Sequence, residues 1–175
     1  MLINSLEKDS LSNRTFDNIN PYNNELICTV PAGEYDDFEE AGLASKKAQI
    51  KWSEVPLYKK MEIYDKFITL VKTNLEDIAQ VMVKESGKVI SEARSEISCL
   101  CVVFEAYKEA ARNLYGHSIP INAEPRTEND LIFTIREPIG VIVTITPFNF
   151  PVELFAHKVA PVLITGNTVI IKWCN

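Results

Sequence analysis

The sequence predicts an α/β fold in which a layer of helices precedes the start of a parallel sheet. Three observations lead there. From Phe38 to Leu114 apolar residues recur at spacings of three and four. After Gly116 the runs become β-branched and of strand length. Between Ile139 and Lys172 a strand, a helix and a second strand follow one another closely enough to form a right-handed crossover unit.

Composition narrows the function classes. With 46% hydrophobic and 24% charged residues among 175, the chain reads as one ordinary globular unit. Its net charge of −6 is offset by no basic cluster, the longest being pairs such as Lys46-Lys47 and Lys59-Lys60, so nucleic acid is not expected as a partner. No apolar stretch reaches the roughly 18 residues of a membrane span. The opening MLINSLEKDSLSNRTF has no secretory apolar run, which points to a cytoplasmic protein. Cys28, Cys99, Cys101 and Cys174 are scattered. Cys99 and Cys101 would face different sides of a helix, so neither a disulfide framework nor a metal site fits, and none is expected.

The helical layer is read element by element. Phe38, Ala41, Ser45, Ala48 and Trp52 form a stripe behind PAGEYDD, whose acidic residues suit a helix N-terminus. Pro56 opens a second helix carrying Leu57, Met61, Tyr64, Ile68 and Val71 on one face. Asn74 is expected to cap a third, with Asp77 three residues on. Ile90, Ala93, Ile97, Leu100, Phe104, Tyr107, Ala111 and Leu114 define a fourth, stopped by Gly116. From Lys88 to Tyr115 it would be about 42 Å long. Its heptads suit a coiled coil, and equally a long amphipathic helix lying on a domain, which is the expectation.

The β part follows. ELICTV (25–30) is expected to be an edge strand, and LIFTIRE (131–137) another strand. IGVIVTIT (139–146) is an almost unbroken apolar run, as for a strand covered on both faces. Pro151 to Ile164 has helical period, Gly166-Asn167 stops it, and TVIIK (168–172) is the second buried strand. Ligands of open α/β sheets lie beyond the carboxyl ends of the strands, so the turn TPFNFP after the first strand is the place for a site.

From Asn20 onward the chain resembles the N-terminal portion of the NAD(P)-dependent aldehyde dehydrogenases. The segments carrying the resemblance are NPYNNELICTVP (20–31), KWSEVP (51–56), KESGKVISEARSEI (84–97), EPIGVIVTITPFNFP (137–151) and KVAPVLITGNTVIIK (158–172). The resemblance implies an incomplete aldehyde dehydrogenase-like fold: an arm over 1–19, then the start of a Rossmann-like dinucleotide-binding sheet within 20–175. It makes 117–137 a β segment of the oligomerisation region and leaves the catalytic domain absent.

The family oxidises an aldehyde by thiolate attack on the carbonyl, hydride transfer to the nicotinamide, and hydrolysis of the thioester by water that a glutamate activates. The resemblance makes Asn149 the amide donor to the carbonyl oxygen, a role whose loss typically slows such reactions about 10²–10³-fold. The alternative is a turn asparagine satisfying its own backbone. Lys158 matches a lysine near the catalytic machinery, with a solvated surface lysine as the alternative. Phe150, Leu154 and His157 would line the substrate tunnel, His157 otherwise being an ordinary packed or exposed residue.

Cofactor contacts are implied on the same basis. There is no GxGxxG among the six glycines. The backbone of Thr146, Pro147, Phe148 and Asn149 would face the nicotinamide half of NAD or NADP. Lys172 would meet the adenosine ribose, or else be a strand-end lysine in solvent. After that lysine the family continues with a loop ending in glutamate, whereas Trp173-Cys174-Asn175 follow here. The expectation is a truncated member through a premature stop, a frameshift or a deliberate cut, inactive alone and binding dinucleotide weakly or not at all. Cys174, beside the adenosine end, is not expected to replace the nucleophile. The parent substrate would be a small aldehyde of the semialdehyde or lactaldehyde type, and the chain would form homo-oligomers or self-associate. The second possibility is a non-catalytic interaction module pairing with full-length subunits through 131–137.

Overall fold

The computed structural model describes residues 1–121, 125–127 and 129–173. The chain opens with two short hairpins. The first pairs β1 (Leu2–Ile3) with β2 (Leu6–Glu7), and the second pairs β3 (Thr15–Ile19) with β4 (Leu26–Pro31), both antiparallel. Four helices follow: α1 (Tyr35–Ser53), α2 (Leu57–Thr73), α3 (Leu75–Ser86) and α4 (Ile90–Ala111). Then come β5 (Ser118–Ile119) antiparallel to β6 (Ile132–Phe133), and finally β7 (Val141–Thr146), α5 (Pro151–Ile164) and β8 (Thr168–Trp173).

β7 and β8 pair in parallel, from Val141 opposite Thr168 to Thr146 opposite Trp173. This is the expected strand–helix–strand unit, with both carboxyl ends level. Its loop is built as a Schellman motif: Asn167 N–H donates to Val162 O (3.1 Å) and Gly166 N–H to Leu163 O (3.1 Å). Gly166 makes this possible at φ 87°, where a Cβ would also meet Pro138 Cγ at 2.9 Å.

The core forms where α4 packs on α5, α3 and α2. Ala93, Ala156 and Ala160 are fully buried at that meeting, and their small side chains let α4 and α5 approach closely around Ile97. On α2, Met61, Tyr64, Ile68 and Val71 are buried as the stripe requires. The Tyr64 ring meets Phe104 edge-on at 5.0 Å, and its hydroxyl donates to Ala160 O at 2.6 Å. Burial raises the Tyr64 pKa, so the hydroxyl stays a donor at any ordinary pH.

Several elements differ from expectation. α4 runs 22 residues, about 33 Å, instead of reaching Tyr115. Beyond Ala111 the amides of Arg112, Asn113 and Leu114 turn to carbonyls three residues back, and Leu114 stays 46% exposed. Asn74 does not cap α3: its side chain donates back to Leu70 O at 2.7 Å, closing α2. The stripe of α1 is covered in part: Ala41, Ser45 and Trp52 are half-buried, with Trp52 Nε1 donating to Leu163 O at 2.9 Å, whereas Phe38 and Ala48 are exposed and the buried residue of the helix is Asp37. Asp37 instead accepts the Glu34 and Leu11 amides, each at 2.9 Å, which holds its carboxyl below the usual range and ties the N-terminal segment to α1.

The face of β7 that carries Val143 and Ile145 is open towards its carboxyl end, where they are 47% and 59% exposed, while α1 covers the start of the pair, Thr168 Oγ1 donating to Ser45 O at 3.0 Å. The edge strand over 25–30 exists as β4, but its partner β3 was not foreseen, because Asp17 and Asn18 are poor strand formers. Of LIFTIRE, Ile132 and Phe133 form the ladder with β5, and the Thr134 amide adds one bond to His117 O at 2.9 Å.

Candidate active site

The turn between β7 and α5 leaves the sheet at Thr146 and enters the helix at Pro151, whose fixed φ suits a first helical position. Thr146 is fully buried, and its Oγ1 has no partner among the described residues. Pro147 is half-buried, Phe148 is 73% exposed, and Asn149 is exposed. The Asn149 carboxamide bonds to nothing among the described residues, so it does not fold back on its own backbone. Its main-chain carbonyl accepts a hydrogen bond from Lys88 Nζ at 2.9 Å.

Two residues to which the sequence reading gave no role hold this turn. Glu96, on α4, is 3% exposed, and its Oε1 accepts the amides of Val152 (2.8 Å) and Glu153 (3.1 Å). These are the unpaired donors at the start of α5, where the helix dipole favours negative charge. The other oxygen, Oε2, pairs with Lys88 Nζ at 2.5 Å. The same ammonium lies 4.2 Å from the Phe150 ring centroid. The signal was legible: Glu96 is a charged residue inside the apolar stripe Ala93, Ile97 and Leu100, where a carboxylate is buried only with partners.

The remaining candidates are placed around α5. Leu154 is half-buried and Phe150 lies half in solvent beneath Lys88. His157 is exposed, with its ring 6.5 Å from that of Tyr107 and Nε2 4.0 Å from Glu153 Oε1. Lys158 is half-buried and has no ion pair among the described residues. Lys172 is exposed and reaches the Trp173 carbonyl at 3.4 Å. Opposite Ile145 in the register, it stands at the same sheet end as the turn. Trp173 stacks on Phe155 at 5.6 Å. Cys174 lies outside the described residues. Cys99 and Cys101, on α4, have thiol pKa values raised first of all by burial, the opposite of a poised nucleophile.

A dinucleotide fits this sheet end in part. The level carboxyl ends of β7 and β8, the unpartnered Thr146 hydroxyl, the open Phe148 and the exposed Lys172 suit it. The start of α5 does not suit its diphosphate, because Glu96 already occupies those amides. An open groove of about 640 Å³ lined by Ala44, Trp52, Val55, Leu163 and Thr168 shares no residue with the turn. Among the described residues no group of His, Cys, Asp or Glu could hold a metal ion, and no helix is long and apolar enough to cross a membrane.

Comparison with known proteins places this geometry. The model of the aldehyde dehydrogenase family matches residues 7–174. The 3-sulfolactaldehyde dehydrogenase of Priestia aryabhattai is 32% identical over 154 residues, 88% of this chain and 32% of that protein. The lactaldehyde dehydrogenase of Methanocaldococcus jannaschii is 32% identical over 160 residues, 91% of this chain and 33% of that protein. The solved structure of 3,6-anhydro-L-galactose dehydrogenase in complex with NAP superposes with a TM-score of 0.93 at 27% identity, over 100% of this chain and 36% of that one. The chain thus spans about a third of the length of the relatives it matches.

Proposed function

The chain belongs to the aldehyde dehydrogenase family, and from that premise we propose that it is the portion of an NAD(P)-dependent enzyme that presents the carbonyl-oxygen donor to a small polar aldehyde. The observation that carries this reading is the Asn149 carboxamide, exposed and unbonded among the described residues on a turn whose backbone is held from α4.

In the proposed reaction a thiolate attacks the carbonyl carbon and charge grows on the oxygen. The Asn149 amide donates to that oxygen, stabilising it where water would otherwise have to reorganise. Phe150, Leu154 and His157 line the approach, and the Lys158 ammonium adds positive potential beside the reacting centre. The backbone of Thr146, Pro147 and Phe148 would hold the nicotinamide side of NAD or NADP, with Lys172 at the ribose. The bound dinucleotide supplies the electron acceptor for oxidation to the acid. No residue of the chain is assigned as the attacking thiolate or the base for water, so the 175-residue polypeptide is proposed to be inactive by itself. Names among the relatives, sulfolactaldehyde and lactaldehyde, support a small polar substrate.

A second reading has its own support. Leu131, Phe133 and Ile135 are exposed apolar residues on one segment, as a module that pairs with aldehyde dehydrogenase subunits through 131–137 would need. Translating the coding DNA beyond codon 172 in all frames separates the two. A continuation carrying a family cysteine and glutamate supports the enzyme, and an in-frame stop without one supports the module.

A further inference from the structure

We propose that Lys88 and Glu96 are positioning residues that set the direction in which Asn149 presents its carboxamide; this rests on the role given above to Asn149. Four contacts converge on two side chains. Glu96 Oε1 takes the Val152 and Glu153 amides, Oε2 takes Lys88, and Lys88 takes the Asn149 carbonyl.

The turn has little else to hold it. Phe148, Asn149 and Phe150 are exposed, and the backbone bond within it is Leu154 N–H to Phe150 O at 3.0 Å. Fixing the Asn149 carbonyl fixes the plane of the peptide that follows it. With the helix start anchored two residues later, little freedom remains in the Asn149 backbone, and the Cα–Cβ bond takes one direction. A donor that must meet an oxygen within a few tenths of an ångström needs this kind of support.

The two residues depend on each other. The side chains of Lys88 and Glu96 are 11% and 1% exposed, so removing the ammonium leaves a buried carboxylate with helix amides alone. Lys88 closes α3's exit directly after Gly87, which takes the left-handed conformation at φ 69°. The clamp therefore joins the α3–α4 connection to the substrate-side turn.

The test uses the 175-residue chain labelled with ¹⁵N and held at about 5 μM, below the range in which it is expected to associate, comparing wild type with Lys88→Met, Lys88→Arg and Glu96→Gln. The readouts are the Asn149 side-chain amide resonances and hydrogen exchange at Phe150, Val152 and Glu153. We expect Glu96→Gln to speed exchange at Val152 and Glu153 about tenfold, since a charge-assisted bond becomes a neutral one. Lys88→Met should shift or broaden the Asn149 side-chain signals, Lys88→Arg should restore them, and exchange at Ile97 and Leu100 should stay unchanged. Three results overturn the proposal: wild-type behaviour of the turn in Lys88→Met and Glu96→Gln, no recovery in Lys88→Arg, or equal loss of protection throughout α4. No substrate is involved, so a wrong role for Asn149 leaves these outcomes standing, and a failed clamp leaves the donor role standing.

Discussion

Asn167 accepts a hydrogen bond from the Gly140 amide at 2.8 Å, which makes the residue ending the α5 loop also the one that sets the start of β7. Its Nδ2 donates to Thr165 Oγ1 at 2.9 Å, while the next residue, Thr168, donates its amide to Gly140 O at 3.0 Å. Both strands of the parallel pair therefore begin from one buried asparagine, and their carboxyl ends are level because their starts are tied.

Asn167→Ala should leave the Gly140 amide unpaired in a buried place and cost about 1–3 kcal/mol. Asn167→Asp keeps the acceptor and should cost less. Urea unfolding of the three proteins side by side tests this, and matching midpoints for wild type and Asn167→Ala would refute it.

The crossover unit was legible because each part carried a local signal: the apolar run to Thr146, proline at 151 and glycine at 166. Asn149 could be read as a site residue by resemblance to the family. That Glu96 is buried with partners was legible from its place in the α4 stripe, but which partners it holds could not be read from any window, because Val152 lies more than fifty residues further on. The same holds for Asn167, where a helix stop was visible and a strand clamp was not. An apolar run records what a strand could bury, while Val143 and Ile145, 47% and 59% exposed, lie past the part of that face that α1 covers.

Acid should weaken one tie between α3 and α4. Arg94 grips Glu76 through Nε and Nη2, both at 2.8 Å. With a further bond from Gln80, this lowers the Glu76 pKa from its usual 4.5 to about 2. A carboxylate whose folded pKa lies below its unfolded one stabilises fully above pH 4.5, and that contribution fades as pH falls towards 2. Both side chains are about half exposed, so the effect is small and salt-sensitive. The melting temperature of wild type should exceed that of Glu76→Gln at pH 7, with the gap closing through this range and shrinking in about 1 M salt. A gap that widens on acidification would contradict the assignment.

The 175-residue chain should self-associate. A compact 19.8 kDa monomer exposes about 8,600 Å² by the usual size scaling, whereas this chain exposes 11999 Å². The excess exceeds what one standard protein interface buries. It includes Val143 and Ile145 on β7, Leu131 and Phe133 on the β5–β6 segment, and Ile139 at 88% exposure. The two-stranded sheet of β7 and β8 also has unpaired edges, which template association. Light scattering at tens of micromolar, roughly the range where such contacts matter, should show oligomers or aggregates. A monodisperse monomer would oppose this.

Dinucleotide affinity should be very low for this chain alone. A site across the ends of parallel strands draws its phosphate affinity from backbone amides at a helix N-terminus. The helix that follows β7 has its Val152 and Glu153 amides on the Glu96 carboxylate, so a diphosphate brought there would face a buried negative charge. What remains is the turn at 146–149 and the exposed Lys172, a single screened cation. Binding of NAD or NADP should then be in the millimolar range or weaker, about 4 kcal/mol at most. Calorimetric titration with each nucleotide measures it directly. Glu96→Gln offers an internal control: it removes the charge, so any phosphate-dependent part of the affinity should rise in that variant while remaining weak. Micromolar binding by the wild-type chain would mean that the diphosphate is held by residues other than the start of α5, and the partial fit described for β7 and β8 would have to be redrawn around them.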